Sequence, residues 1–307
     1  MNQEVKERPF CVATIGVFDG VHAGHQHLIR MIVDEARRSG MVSKVITFDC
    51  QPRQVLDPDF HPQLLTTLEE KQAYIREMGV DEVVVLPFTK ELAALSAQAF
   101  MHEVLYRQMD VRVLITGYDN RFGHNRAEGF DDYVRYGEEM GMKVLRGDAE
   151  LMADGSRAVS SSVIRRLLVQ EGRVELMPTC LTRPYLLQGR VMPGEHIGHR
   201  LGFPTANLEP LCADKLIPAP GVYAVWAKVN GEHQRRAAMM NIGTRPTFEG
   251  KRQTLEVNIL DFDGDLYGQT MSVSFIERLR AERYFDSPEA LAQQLHDDKE
   301  HVKAILR

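Results

Sequence analysis

The feature that most constrains this chain is a change in the spacing of its apolar residues near residue 178. Before it, short β-branched runs at Cys11–Ile15, Lys44–Phe48, Glu82–Leu86, Arg112–Thr116 and Lys143–Leu145 alternate with segments of helical spacing. Leu28, Ile29, Ile32 and Ala36 before Gly40 form one such segment, and Phe100, Val104 and Leu105 another. A strand followed by a helix and then a parallel strand closes only as a right-handed crossover, so the alternation predicts an α/β fold with a doubly wound, Rossmann-like parallel sheet.

After residue 178 the runs Val222–Val229, Ala237–Asn241, Leu255–Leu260 and Met271–Ile276 are separated by Asn230-Gly231, Glu249-Gly250 and Asp263-Gly264. Such dipeptides make the tight turns of hairpins, and the pattern predicts a small antiparallel barrel. Ser287-Pro288-Glu289 announces a terminal helix through about His301, because a serine caps a helix and a proline is tolerated in its first turn. Residues 1–178 and 186–307 are therefore expected to be two domains joined by a linker over 179–185, a division that a length of 307 residues accommodates.

With 44% hydrophobic and 26% charged residues the composition is that of a globular protein. A net charge of −6 gives no general pull toward nucleic acid or an anionic membrane, so neither is expected as a partner, and an anionic ligand would need a built pocket. No apolar run approaches the length of a membrane span and the polar start lacks the apolar stretch of a signal peptide, so the expected location is the cytoplasm. Cys11, Cys50, Cys180 and Cys212 are scattered singly, as reduced thiols are. The oligomeric state is not legible.

The segment Gly16-Val17-Phe18-Asp19-Gly20-Val21-His22-Ala23-Gly24-His25 lies where the first strand ends and the first helix begins. Glycines let backbone approach a phosphate, a helix N-terminus offers free N–H groups to anions, and two imidazoles can donate to phosphate oxygens. Alone, two histidines three residues apart are surface decoration; at this junction they suit the triphosphate of ATP, with Gly16, Phe18, Asp19, Gly20, His22 and His25 as its contacts. Late in the same half, Ser160-Ser161-Ser162-Val163-Ile164-Arg165-Arg166 opens another helix. Serines there are commonly caps, but the hydroxyls of Ser161 and Ser162 together with Arg165 would converge on the same anion through charge-assisted contacts.

Together these two segments resemble the H-x-G-H and S-S-[TS]-x-I-R signatures of the nucleotidyltransferase superfamily, and the half as a whole is similar to the adenylyltransferase half of bacterial bifunctional riboflavin kinase/FAD synthetases. Thr47-Phe48-Asp49 with Pro52-Arg53, Thr66 before Glu70-Lys71, and Gly117-Tyr118-Asp119-Asn120-Arg121-Phe122-Gly123 extend the likeness. The resemblance implies that the last segment lies over flavin and nucleotide, with Asp119, Arg121 and Phe122 in contact with the flavin. Asn120 stands where the family usually has an aromatic, Cys50-Gln51 where it has Pro-His, and Ser162 where it has threonine. The chemistry implied is attack of the FMN phosphate on the α-phosphorus of ATP, with His22, His25 and Arg165 stabilising the departing pyrophosphate.

In the second half, Gly198-His199-Arg200-Leu201-Gly202-Phe203-Pro204-Thr205-Ala206-Asn207 joins a glycine-bearing loop to a Pro-Thr-x-Asn element. The side-chain oxygens of Thr205 and Asn207 are hard ligands suited to Mg²⁺, although threonine and asparagine after proline also make ordinary turns. The segment resembles the G-F-P-T-A-N signature of riboflavin kinases, and Gly221–Val225, Asn241–Phe248, Asp265-Leu266-Tyr267-Gly268 and Leu279-Arg280 continue the match. The resemblance implies a six-stranded barrel, Glu256 as the base that takes the proton of the ribityl 5′-hydroxyl, Gly198, Gly202, Pro204, Thr205 and Asn207 around ATP, and Arg280 and Phe285 closing the flavin pocket. The expected function is Mg²⁺- and ATP-dependent conversion of riboflavin to FMN and of FMN to FAD. Two alternatives stand beside it: an active kinase whose adenylyltransferase half is weak or altered, and a flavin-binding protein without turnover.

Overall fold

The computed structural model describes residues 9–148, 158–193, 203–247 and 250–307, with residues 245–247 and 250–252 described as backbone. The chain divides into two compact units, Met1–Ser161 and Ser162–Arg307.

The first unit is a five-stranded sheet in the order β3-β2-β1-β4-β5, made of β1 (Cys11–Ile15), β2 (Val42–Phe48), β3 (Glu82–Leu86), β4 (Val111–Thr116) and β5 (Lys143–Arg146). Every neighbouring pair is parallel, as the strand–helix alternation requires. Both faces are covered, so the strands are apolar at successive positions. Ala13, Ile15, Ile46 and Leu114 pack under the helical stretch Phe100–Gln108, while Val12, Val45, Val113 and Ile115 pack under Leu28, Ile29, Ile32 and Val33 of α1 (Ala23–Ser39). Phe100–Gln108 is wound as a π-helix, which the apolar spacing there did not reveal. Gly40 ends α1 in the left-handed conformation, and its N–H returns to the Ala36 carbonyl. The helices α2 (Pro52–Leu56), α3 (Leu68–Glu77), α4 (Lys90–Ala93), α5 (Ala97–Ala99) and α6 (Phe130–Met140) complete the unit.

The order 3-2-1-4-5 reverses direction between β1 and β4. Crossovers leave β1 toward one face and β4 toward the other, which opens a crevice at the carboxyl ends of those two strands. Gly16–His22 and Gly117–Gly123 both emerge there.

The second unit is a closed antiparallel barrel in the order β10-β7-β6-β11-β8-β9. Its strands are β6 (Tyr185–Met192), β7 (Ala206–Pro210), β8 (Gly221–Val229), β9 (Arg236–Thr247), β10 (Gly250–Ile259) and β11 (Thr270–Arg280). The expected antiparallel six-stranded barrel is therefore present, including β6 and β7, whose apolar runs are interrupted by glycine, arginine or acidic residues. Period-two alternation fills the interior: Tyr185, Leu187 and Val191, then Tyr223, Val225 and Ala227, then Val273 and Phe275 are all buried. The short helices α7 (Ser161–Arg166) and α8 (Met177–Leu181) precede it.

The terminal helix α9 (Pro288–Ile305) extends about a turn past His301, and Ser287 caps it by accepting from the Ala290 N–H. Val302 and Leu306 pack on Val222, Ala224 and Met239 of the barrel exterior. An ion pair also pins the helix: the Arg280 guanidinium at the end of β11 donates through Nε and Nη2 to the Asp298 carboxylate at 2.9 and 2.8 Å. Among the described residues no helix is long and apolar enough to cross a membrane.

Asp298 is 5% exposed at its side chain and Arg280 18%. Removing one partner of a buried pair strands the other charge, so Asp298→Ala is expected to cost about 3 kcal/mol. The measurement is urea unfolding followed by the fluorescence of Trp226, the single tryptophan, which lies in β8 and reports on the barrel.

Candidate active sites

At the end of β1 the chain enters a turn that few side chains tolerate: φ is 52° at Phe18, 86° at Gly20 and 41° at Val21. The carboxylate of Asp19, 5% exposed, sits at the centre of what holds it. It accepts from the N–H groups of Leu65 and Thr66, each at 3.0 Å, and from the Gln51 amide at 3.4 Å. The Thr66 hydroxyl in turn accepts from the Gly20 N–H at 3.0 Å, and the Ser161 hydroxyl donates to the Asp19 carbonyl at 2.9 Å. The sequence places Asp19 among the ATP contacts; the structure turns its side chain to the backbone of residues 65–66, where it fixes the turn.

That turn delivers His22 as the N-cap of α1, its Nδ1 accepting from the His25 N–H at 3.4 Å. The two imidazoles stack with centroids 3.6 Å apart, and Phe18 meets His25 edge-on at 5.1 Å. A Cβ at Gly24 would come within 3.3 Å of the His22 ring, so the glycine between the histidines lets them stack. His25 Nδ1 is buried and has no hydrogen-bond partner among the described residues. Burial, then the positive charge available to His22 and Lys71, hold the His25 pKa well below the ordinary histidine range, so the ring is neutral at pH 7. A neutral imidazole beside a helix N-terminus can donate one N–H to a phosphate oxygen.

Next to this turn the crevice widens into a cavity of about 580 Å³, within the range of small-molecule sites. Ile15, Gly16 and Val17 form its floor, Phe48, Phe88 and Phe100 supply apolar wall, and Arg53, Arg121 and Arg126 supply charge. Phe122 lines it and stacks on Tyr133 at 4.2 Å, while the Tyr133 hydroxyl receives the Phe122 N–H at 3.0 Å. Of the residues implied for the flavin, Arg121 and Phe122 reach this cavity, and Asp119 stands exposed outside its lining. Asn120, which replaces an aromatic, donates from Nδ2 to the Ile15 carbonyl at 2.7 Å and ties the loop after β4 to the end of β1.

Ser162 and Arg165 follow Ser161 on α7 and fall in the second compact unit. In the barrel, β7 and β10 pair so that Asn207 stands opposite Glu256, and Glu256 stands opposite Asn241 on β9. Directly opposed residues share a face with Cβ atoms about 5 Å apart, so the three polar side chains form a row across three strands. Asn258, two residues on and on the same face, donates from Nδ2 to the Pro204 carbonyl at 2.7 Å and anchors the Pro204-Thr205 segment. Thr205 and Pro204 line a cavity of about 270 Å³ together with the Phe262–Tyr267 turn. Gly198 and Gly202 lie outside the described residues.

Arg280, implied for the flavin pocket, is engaged with Asp298, and Phe285 lies under the Arg280 and Arg283 guanidinium groups at 5.6 and 4.6 Å. Reading the sequence did not assign roles to Thr66, Lys71, Asn241 or Asn258. The polar residues at 241 and 258 interrupt apolar strands and could have been noticed; a buried lysine on a short helix gives no such signal.

A doubly wound unit with two stacked histidines at its first strand–helix junction, followed by a barrel with an amide–carboxylate row, is the architecture of a two-part transferase. Residues 4–163 match the family model described as FAD synthetase and residues 181–306 the one described as riboflavin kinase. The chain belongs to the bifunctional riboflavin kinase/FMN adenylyltransferase family. It is 37% identical to the Escherichia coli (strain K12) protein of that description over 94% of this chain and 90% of the relative, and 34% identical to the Bacillus subtilis (strain 168) protein over 97% and 93%. A crystal structure described as a macrolide-efflux protein from Streptococcus pneumoniae superposes with a TM-score of 0.88 at 31% identity, covering 98% of this chain and 96% of that one.

Gly123 has φ 88° and ψ 165°, a region nearly confined to glycine, and a Cβ there would lie 2.6 Å from the Ala97 nitrogen. Gly123→Ala is expected to cost about 1–3 kcal/mol in backbone strain alone and more from the clash, and to displace Phe122. Calorimetry of the variant, with the near-ultraviolet circular dichroism of the Phe122–Tyr133 stack, checks it.

Proposed function

We propose that the protein phosphorylates riboflavin to FMN in its barrel and adenylylates FMN to FAD in its α/β unit, consuming one ATP at each step. The observation that carries this reading is the presence, within one chain, of the stacked His22–His25 pair at the β1–α1 junction and the Asn207–Glu256 cross-strand pair.

In the barrel, Glu256 accepts the proton of the ribityl 5′-hydroxyl as that oxygen bonds to the γ-phosphorus and ADP leaves. A carboxylate fixed on a central strand keeps its distance to the nucleophile, which is what general-base catalysis needs. The hard oxygen donors of Thr205 and Asn207 fit Mg²⁺, and the ion when bound neutralises phosphate charge. Gly198 and Gly202 are assigned to the ATP phosphates from the motif alone, and Phe285 to the flavin.

In the α/β unit no covalent enzyme intermediate is required, because the FMN phosphate is already an anion. One of its oxygens bonds to the α-phosphorus of ATP, the bond to the bridging oxygen breaks, and pyrophosphate leaves. His22, His25 and the free N–H groups at the start of α1 face the charge that develops, so catalysis is positioning and charge stabilisation. Ser162 and Arg165 are assigned to phosphate binding on the strength of their motif. The 580 Å³ cavity, with aromatic wall and arginine rim, is suited to a flavin carrying a phosphate. The four singly spaced cysteines are suited to a reducing compartment, the cytoplasm.

Purified protein given riboflavin and Mg·ATP should accumulate FMN transiently and then FAD, resolved by chromatography. Glu256→Gln is expected to slow the first step about 10²–10⁴-fold and leave the second intact. His25→Ala should do the reverse, lowering the adenylyl step about 10²–10³-fold. FMN accumulating without FAD in the wild-type protein would leave only the kinase, and flavin binding without ATP consumption would leave a binding protein.

A further inference from the structure

Lys71 is a buried lysine on α3 that the mechanism above does not use. It is 6% exposed, and its ammonium donates to the Val17 carbonyl at 3.1 Å and the Phe48 carbonyl at 2.9 Å. The Thr47 hydroxyl donates to the same Val17 carbonyl at 3.1 Å. Val17 is the residue before the positive-φ turn, and Phe48 ends the neighbouring strand, so one side chain fastens the start of the turn to the edge of β2. Four to six residues before Lys71, Leu65, Thr66 and Thr67 do the rest: the first two grip Asp19, Thr66 grips Gly20, and Thr67 caps α3 by accepting from the Glu70 N–H. A single stretch, Leu65–Lys71, therefore holds the turn at Val17, Asp19 and Gly20.

Burying an ammonium costs free energy that two carbonyl contacts only partly return. Lys71 faces Asp19 from the turn and Asp49 and Cys50 from the end of β2, and His25 from α1; burial is the larger effect and brings its pKa down to about 8. A neutral methionine would fill the same volume without that cost, so a stability role is a weak account of the charge.

We propose that Lys71 is a positioning residue of the adenylyl-transfer site, whose charge braces the Phe18–Val21 turn that delivers His22 and His25. The proposal rests on the adenylyltransferase reading above. Misplacing a catalytic group by an ångström costs on the order of a hundredfold in rate. A group acting only on placement in the transition state lowers kcat and kcat/KM together and leaves KM unchanged.

The test uses the full chain with Lys71→Met and, separately, Thr66→Val. Lys71→Met is expected to lower kcat for FMN adenylylation on the order of a hundredfold with KM for FMN unchanged, while the same preparation phosphorylates riboflavin at the wild-type rate. The imidazole titration of His25, followed by NMR, should move upward because a repelling charge is gone, and the amide resonances of Val17–Val21 should shift. Thr66→Val, which removes a grip without removing a charge, should lower adenylylation without moving the His25 titration. Full adenylylation by Lys71→Met, or an unmoved His25 titration with unshifted amides, would overturn the proposal. If Lys71→Met loses both activities, Thr66→Val decides: loss of adenylylation alone upholds the brace and retention sinks it. Wild-type protein that makes no FAD from FMN would defeat the adenylyltransferase reading, and the two NMR measurements would still judge the brace.

Discussion

The buried carboxylate of Asp19, receiving the N–H groups of Leu65 and Thr66, is the contact on which the first site depends. Phe18 and Val21 occupy left-handed backbone conformations that cost about 1–2 kcal/mol each for residues bearing a side chain. Such a turn persists only when its surroundings over-determine it, and charge-assisted hydrogen bonds in a low dielectric are strong enough to do so. Everything that follows in the chain inherits the result. His22 caps α1 because the turn ends there, the helix N-terminus points into the crevice because α1 starts there, and the two imidazoles stack because only Gly24 lies beneath them.

The barrel solves the equivalent problem by register. In an antiparallel pair a slip of one residue would send Glu256 to the side that Leu255 and Val257 now occupy and turn those two to the side it leaves. The alternation of apolar residues along β10 forbids that slip, since it would expose Leu255 and Val257 to water. Hydrophobic patterning thus sets which face the carboxylate shares with Asn207 and Asn241, and closure of the six strands leaves no edge from which the register could drift.

Much of the architecture was legible because both periodicities are strong. β1 and β3 match their apolar runs residue for residue, and the cap at Ser287 places the start of α9. The chemical motifs were legible because the histidine pair falls at a strand–helix junction and the Pro-Thr-x-Asn element follows a glycine-bearing loop, contexts that set them apart from ordinary surface and turn residues. What was hidden involves pairs distant in sequence. Asn120 looks like a lost aromatic in the sequence, yet in the fold it binds the Ile15 carbonyl 105 residues away. Nothing in the sequence announces that Arg280 pairs with Asp298. The π-helical winding of Phe100–Gln108 also escaped notice, because a π-turn and an α-turn place apolar residues on nearly the same face.

By itself the sequence determined the two-part plan, the parallel and antiparallel character of the sheets and the place of the glycine–histidine segment at the first strand–helix junction. These follow from local periodicity and from backbone rules that act over a few residues. The tertiary structure decided which polar groups are engaged by the scaffold. In the sequence Asp19 is an expected ATP contact and Thr66 and Lys71 are part of a family likeness; the fold buries all three. Once buried, each must find a partner: Thr66 and Lys71 find backbone groups of the turn that carries the histidines, and Asp19 finds the N–H groups of Leu65 and Thr66.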